Sequence, residues 1–264
     1  MSPTRRSARR PLARRRVPRT AALALLMVSA TACSAEEWKR GGMPEGITEQ
    51  SEVVQDLWNG SWIAALATGA VVWGLILWSV AFHRKRKNSK ELPPQVRYNL
   101  PIEMLYTIVP LIMVSVLFFF TARDQNYLTD MSAKPDVTVK VEAFQWSWRF
   151  TTEATGKKAE VVGIPADNYE QGPQLVLPVG KRIQFNLSSP DVIHSFWVPA
   201  FKFKLDVIPG VDNRFQVVTL DKPGVYAGRC AELCGVDHSR MLFNVKLVSQ
   251  AEFDQYIASQ AGAQ

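Results

Sequence analysis

Apolar positions along the chain change their spacing twice. Residues 61–82, SWIAALATGAVVWGLILWSVAF, carry no charge over twenty-two positions. At about 1.5 Å per helical residue, that run crosses a hydrocarbon layer of about 30 Å. Trp62 and Trp78 stand near its ends, where indole rings favour the membrane interface. A second apolar run over residues 101–121, with IEMLYTIVPLIMVSVLFFF at its heart, predicts another span, kinked at Pro110. The bases of HRKRKNSK, residues 83–90, lie between the two runs and mark the cytoplasmic side. A transmembrane hairpin over residues 57–123 follows. It places the mature N-terminus and everything after Arg123 outside. Core helices of a soluble protein would not run uninterrupted for this length between such flanks.

From residue 124 the period shortens to two. VTVKVEAFQWSWRF, QLVLPVGKRIQFNL, NRFQVVTL and MLFNVKLV alternate apolar and polar positions. Gly172-Pro173, Pro178, Ser188-Ser189-Pro190, Pro209-Gly210 and Pro223-Gly224 punctuate them. Short strands at this spacing predict an all-β sandwich or barrel over 124–250. The tail, 251–264, begins with a segment that predicts a short helix. No internal repeat is present.

The N-terminus has a third pattern. Residues 1–20 carry eight Arg and no acid, and then AALALLMVSATAC follows. About a dozen apolar residues are too few to span a bilayer. A basic leader, a short apolar stretch and small residues predict a signal peptide over 1–32. Ala30-Thr31-Ala32-Cys33 is similar to a bacterial lipobox, with Ala30 where Leu is usual, and predicts lipidation of Cys33. Residues 33–56 are polar and read as an exported linker that enters a helix near Gln50. The leader also accounts for the charge. Setting its eight Arg aside leaves 23 basic against 24 acidic residues, so a net charge of +7 does not point to a nucleic-acid partner.

The chemistry is concentrated in CAELCGVDHSRM, residues 230–241, on a predicted loop between strands at 224–229 and 242–248. It holds two of the chain's three cysteines and one of its three histidines. Three readings compete. A disulfide suits an exported domain, but a ring this small stabilises little and leaves His238 and Met241 unexplained. Zinc takes Cys and His and rarely a thioether. Copper electron-transfer sites use thiolate, imidazole and thioether together, with a further His from upstream. The loop has one Cys more than a single copper needs, and a second thiolate can bridge to a second ion. His83 sits in the cytoplasmic basic run. His194, in SSPDVIHSFWVP, is the remaining upstream histidine, among apolar neighbours suited to a dry site.

Cys-x-Glu-x-Cys-x₃-His-x₂-Met, the upstream His-Ser-Phe-Trp-Val-Pro, Phe-Gln-Trp-Ser-Trp and the two-helix hairpin together resemble subunit II of cytochrome c oxidase, from about Gln50 to Val248. The resemblance implies a cupredoxin-like β-domain with a binuclear Cu(A) centre. In it Cys230 and Cys234 bridge two copper ions, and His194 and His238 each terminate one. Met241 would be a weak ligand to one ion, and Glu232 would bind the other through its backbone carbonyl. It further implies that Trp146 receives the electron from cytochrome c. The alternating Trp148, on the same face, would be a core aromatic. The Glu232 carboxylate would reach a magnesium or manganese ion at the boundary with subunit I, and Asp206 would lie near that boundary. Glu103 would feed protons into a channel of subunit I. Asp191 matches an acid that docks cytochrome c. With 14 basic and 15 acidic residues over 125–264, such docking would be weakly electrostatic, or the donor tethered.

The implied function is the electron-accepting subunit of a proton-pumping oxidase in the bacterial plasma membrane, multi-pass, with its copper domain outside. Its partners are subunit I, other oxidase subunits, cytochrome c and lipid. A Cu(A) subunit of a nitric oxide reductase shares these features, because the difference lies in the partner subunit. Nitrous oxide reductase is soluble and richer in His, and quinol oxidase subunits lack the copper ligands. A membrane-anchored copper carrier would use exposed Met or Cys and would need neither Trp146 nor Glu103.

Overall fold

The computed structural model describes residues 34–86 and 95–261. The predicted signal peptide, Cys33 and the basic run from Lys87 onward lie outside the described residues. Two units are distinguished, divided after Gly42. The first contributes one short helix, α1 (Ala35–Lys39), started by a capping box in which Ser34 and Glu37 exchange bonds.

The second unit begins with helix α2 (Glu49–Phe82) and helix α3 (Leu100–Leu128). Thr48 caps α2 by accepting from the Ser51 amide at 3.1 Å. Asn99 caps α3, and Glu103 Oε1 accepts from the Asn99 amide at 3.1 Å. Both helices are apolar and long enough to cross a membrane, and their most apolar windows are unburied. Such surface is stable in lipid and not in water. Helix α3 continues through Pro110. Each helix outruns its apolar core, so α2 carries its first turns beyond the predicted span at residues 61–82.

Residues 43–48, within the expected linker, are instead packed against the β-domain. Ile47 is fully buried. Its amide donates to the Ala200 carbonyl, and its own carbonyl accepts from Leu220. Gln50 Oε1 accepts from the Val218 amide at 2.9 Å. An apolar side chain with both backbone groups paired is part of a fold. A polar composition with Gly and Pro concealed this one residue.

Ten strands follow: β1 (Val137–Phe144), β2 (Ser147–Ala154), β3 (Lys157–Val162), β4 (Gln174–Pro178), β5 (Arg182–Ser188), β6 (His194–Val198), β7 (Phe203–Val207), β8 (Asn213–Val218), β9 (Gly224–Cys230) and β10 (Leu242–Val248). They form two five-stranded sheets, ordered β3-β2-β1-β5-β8 and β4-β10-β9-β6-β7. Neighbours are antiparallel except β1 with β5 and β4 with β10. In β1 the buried residues Val137, Val139, Val141 and Ala143 alternate with more exposed ones, as a strand with one inward face must. Between the sheets lies an aromatic cluster. Phe243 has ring centroids of Trp148, Phe150 and Phe196 at 5.1, 5.3 and 5.0 Å. Helix α4 (Gln250–Ala261) closes the domain with Phe253 and Ile257 buried.

The topology sets the site. Phe196 of β6 pairs with Cys230 of β9, and Leu242 of β10 pairs with Arg229. His194 opens β6, Cys230 ends β9, and residues 231–241 connect β9 to β10. The two-residue turn Gln145–Trp146 joins β1 to β2. These pieces meet at one end of the sandwich.

Candidate metal centre

His194 is buried as the first residue of β6, and Cys230 as the last of β9. The donor atoms of His194, Cys230 and Cys234 all lie within 4.8 Å of one another. The two Sγ atoms are 3.9 Å apart, and both cysteines are free. His194 Nδ1 is 3.9 Å from Cys230 Sγ. On the other side, His238 Nδ1 is 3.5 Å and Met241 Sδ 3.3 Å from Cys234 Sγ. The Glu232 carbonyl is 3.2 Å from Cys230 Sγ, while its side chain is exposed. Six donors thus converge: two thiols, two imidazoles, a thioether and a peptide oxygen.

The loop is fixed from three directions. Met241's carbonyl accepts from the Cys230 amide at 3.1 Å and from Trp148 Nε1 at 3.2 Å. Cys234's carbonyl accepts from Gln145 Nε2 at 2.9 Å and from Trp146 Nε1 at 3.1 Å. Gly235 follows, with φ +122° and an ideal Cβ only 3.0 Å from the Trp146 indole nitrogen. Only glycine meets that backbone angle and that approach without strain. Arg240 ties the loop's far end to Asp167 at 3.0 Å and Asp237 at 3.2 Å.

Burial and neighbouring charge divide the thiols. Burial pushes the Cys234 thiol up to about 12, and the adjacent Cys230 adds to the rise. Burial opposes ionisation of Cys230 too. There His194 and backbone hydrogen bonds at Glu232 and Ser195 outweigh it, and the thiol is held below its ordinary value. Burial would depress His194, but Cys230 and Asp191 prevail and raise it. Burial thus opposes ionisation at both thiols, and the neighbouring His194 and backbone donors favour it at Cys230 alone.

The other candidate residues fall in different places. Trp146 is half-buried beside the loop. It belongs to the turn, whereas Trp148 is fully buried in β2, so the two indoles do not share a strand face as their spacing implied. Asp191 lies against the site, its Oδ1 2.9 Å from His194 Nε2. Asp206 lies on β7 opposite Ser195, one residue beyond His194. Glu103 is remote, its carboxylate engaged at the start of α3. Gln145 and the Trp148 indole, as supports of the loop, were not foreseen. The only sequence signal was their place in the aromatic-rich turn segment.

A two-sheet β-sandwich behind a pair of apolar helices, with thiol, imidazole and thioether donors gathered at one end, defines a cupredoxin-like domain anchored in a membrane and equipped for copper. Residues 137–248 match the family described as cytochrome C oxidase subunit II, periplasmic domain. A relative from Streptomyces coelicolor, named probable cytochrome c oxidase subunit 2, is 50% identical, covering 96% of this chain and 88% of its own. Cytochrome c oxidase subunit 2 of Mycobacterium tuberculosis is 36% identical, covering 92% and 81%. The chain belongs to the cytochrome c oxidase subunit II family. Among solved structures, the periplasmic domain of subunit II of cytochrome oxidase from Bradyrhizobium japonicum is 31% identical, over 50% of this chain and 99% of that one, with a TM-score of 0.45.

Proposed function

We propose that this chain accepts electrons from cytochrome c outside the bacterial plasma membrane and delivers them to haem in subunit I of a proton-pumping oxidase that reduces oxygen to water. The observation that carries the reading is the convergence of both thiols, both exported histidines, Met241 Sδ and the Glu232 carbonyl at one end of the sandwich. Soft sulfur with imidazole suits copper, and the paired thiols suit two ions. Cys230, Cys234, His194, His238, Met241 and the Glu232 carbonyl would hold them. Bound there, the two copper ions would share one exchangeable electron, so that each metal–ligand bond changes little between oxidation states.

The chain's own residues supply the rest. Trp148 and its aromatic neighbours exclude water from beneath the site, and Met241 is buried. Trp146 reaches from the half-exposed turn to the Cys234 carbonyl through one hydrogen bond, a short path from the surface to a ligand. The exposed Glu232 carboxylate is free to meet a magnesium or manganese ion where subunit I docks, near Asp206. Glu103 stands at the cytoplasmic start of α3 for proton uptake. The leader would direct export, with Cys33 lipidated and the β-domain on the outer face.

The test is metal analysis and electron spin resonance on the full chain copurified with subunit I. The parent should carry two copper atoms more per chain than Cys234→Ser, together with a seven-line mixed-valence spectrum that the substitution abolishes. A difference of one copper or none, or activity surviving that substitution, overturns the reading. Haem analysis and turnover with oxygen against nitric oxide separate an oxidase from a nitric oxide reductase. A colourless Cu(I) form that passes its metal on would mark a carrier.

A further inference from the structure

We propose that Asp191 is a positioning residue for the metal site: it sets the tautomer of His194 and braces the Gln145–Trp146 turn against the copper loop. This rests on the copper reading above. Both carboxylate oxygens are engaged. Oδ1 accepts from His194 Nε2 at 2.9 Å, from the Val192 amide at 2.6 Å and from Ser189 Oγ at 3.2 Å. Oδ2 accepts from the Gln145 amide at 2.7 Å. The side chain is only 28% exposed.

Two consequences follow from this bonding. A proton held on Nε2 by the carboxylate leaves the lone pair on Nδ1, the nitrogen that faces Cys230 Sγ. A carboxylate behind a ligating imidazole also makes it a better donor and fixes the ring plane. The Oδ2 bond extends the effect beyond β6. Gln145, held by Asp191 through its amide, donates through its side chain to the Cys234 carbonyl, as Trp146 does. Asp191 therefore links the upstream ligand, the β1–β2 turn and the second thiol in one hydrogen-bonded circuit. Oδ1 carries three bonds and Oδ2 one, all within the chain. Asp191 is an internal brace rather than a docking acid.

The experiment uses the full chain copurified with subunit I, as Asp191→Ala and Asp191→Asn. Asp191→Ala should release copper to a chelator about 10- to 100-fold faster and alter the copper hyperfine pattern. Asp191→Asn keeps an oxygen that accepts from Nε2 and should fall between parent and Asp191→Ala. The KM for cytochrome c should keep the parent's dependence on ionic strength in both. Parent-like copper release and spectrum, with KM raised at low salt alone, would overturn the proposal in favour of docking. Faster release with an unchanged hyperfine pattern would overturn it too, as mere loosening. A parent preparation without the seven-line spectrum defeats the functional reading instead, and is seen before any variant is compared.

Discussion

Gly228 offers the sharpest test of how the sandwich core supports the site. It lies in β9, paired with Phe243 of β10 and two residues before Cys230. An ideal Cβ on Gly228 would fall 2.1 Å from Phe243 Cε2 and 2.3 Å from Cζ. To regain a carbon–carbon contact of about 3.5 Å the ring must retreat by roughly 1.4 Å. It has no free direction, because Trp148, Phe150 and Phe196 surround it with centroids at 5.0 to 5.3 Å. Overpacking of this kind costs about 1–3 kcal/mol. For a β-domain of this size that lowers the melting temperature by roughly 4 °C per kcal/mol. The Gly228→Ala chain should therefore melt about 4–12 °C below the parent, followed in detergent by tryptophan fluorescence of the β-domain. Trp148 donates to the Met241 carbonyl, so its displacement should also speed copper release. Phe243→Leu makes room for the new methyl. The double variant Gly228→Ala/Phe243→Leu should therefore be more stable than the sum of the single changes by about 1 kcal/mol. If Gly228→Ala melts with the parent, or the two changes simply add, the close contact does not govern this end of the core.

Two further outcomes bear on the connections around the site. Trp146→Phe removes one donor to the Cys234 carbonyl and leaves Gln145 Nε2 in place. Its copper spectrum should remain parent-like, while stopped-flow reduction by cytochrome c slows about tenfold, equivalent to about 1.4 kcal/mol in the barrier; an unchanged rate would remove Trp146 from the electron path. Ile47→Ala should cost about 2–5 kcal/mol, as expected for a fully buried side chain. Hydrogen exchange at the Val218 amide, held by Gln50 just beyond Ile47, should rise with it, and no change there would show that the strap does not secure the base of α2.

Where the sequence was informative, the reason is periodicity. The charge-free run at 61–82, the apolar run at 101–121 and the alternation in β1 and β5 each report a local relation between a side chain and its surroundings. The loop at 230–241 was legible for another reason: soft donors are too rare in this chain to cluster without cause. What stayed hidden depends on contacts between distant residues. Ile47 is one apolar residue in a polar stretch, and nothing nearby tells that Ala200 and Leu220 will pair with its backbone. Trp146 and Trp148 look equivalent by spacing, but the β1–β2 turn places the first at the surface and the second in the core. Asp191 reads as a surface acid until the fold brings Gln145, forty-six residues earlier, onto its second oxygen.

The same contacts explain why a loop can serve a function that demands rigidity. A connection of eleven residues between β9 and β10 would ordinarily be mobile. Here its bonds lead back to strands: Cys230 to Met241 across the loop, Trp148 of β2 to Met241, and the β1–β2 turn to Cys234. His194 is itself a strand residue, held from behind by Asp191. These bonds tie Cys230, Cys234, Met241 and His194 to the strands of the sandwich. Electron exchange then meets a frame that resists movement of its ligands. The fold's contribution to electron transfer is this preorganisation, built from a tryptophan, a glutamine and an aspartate that would touch no metal.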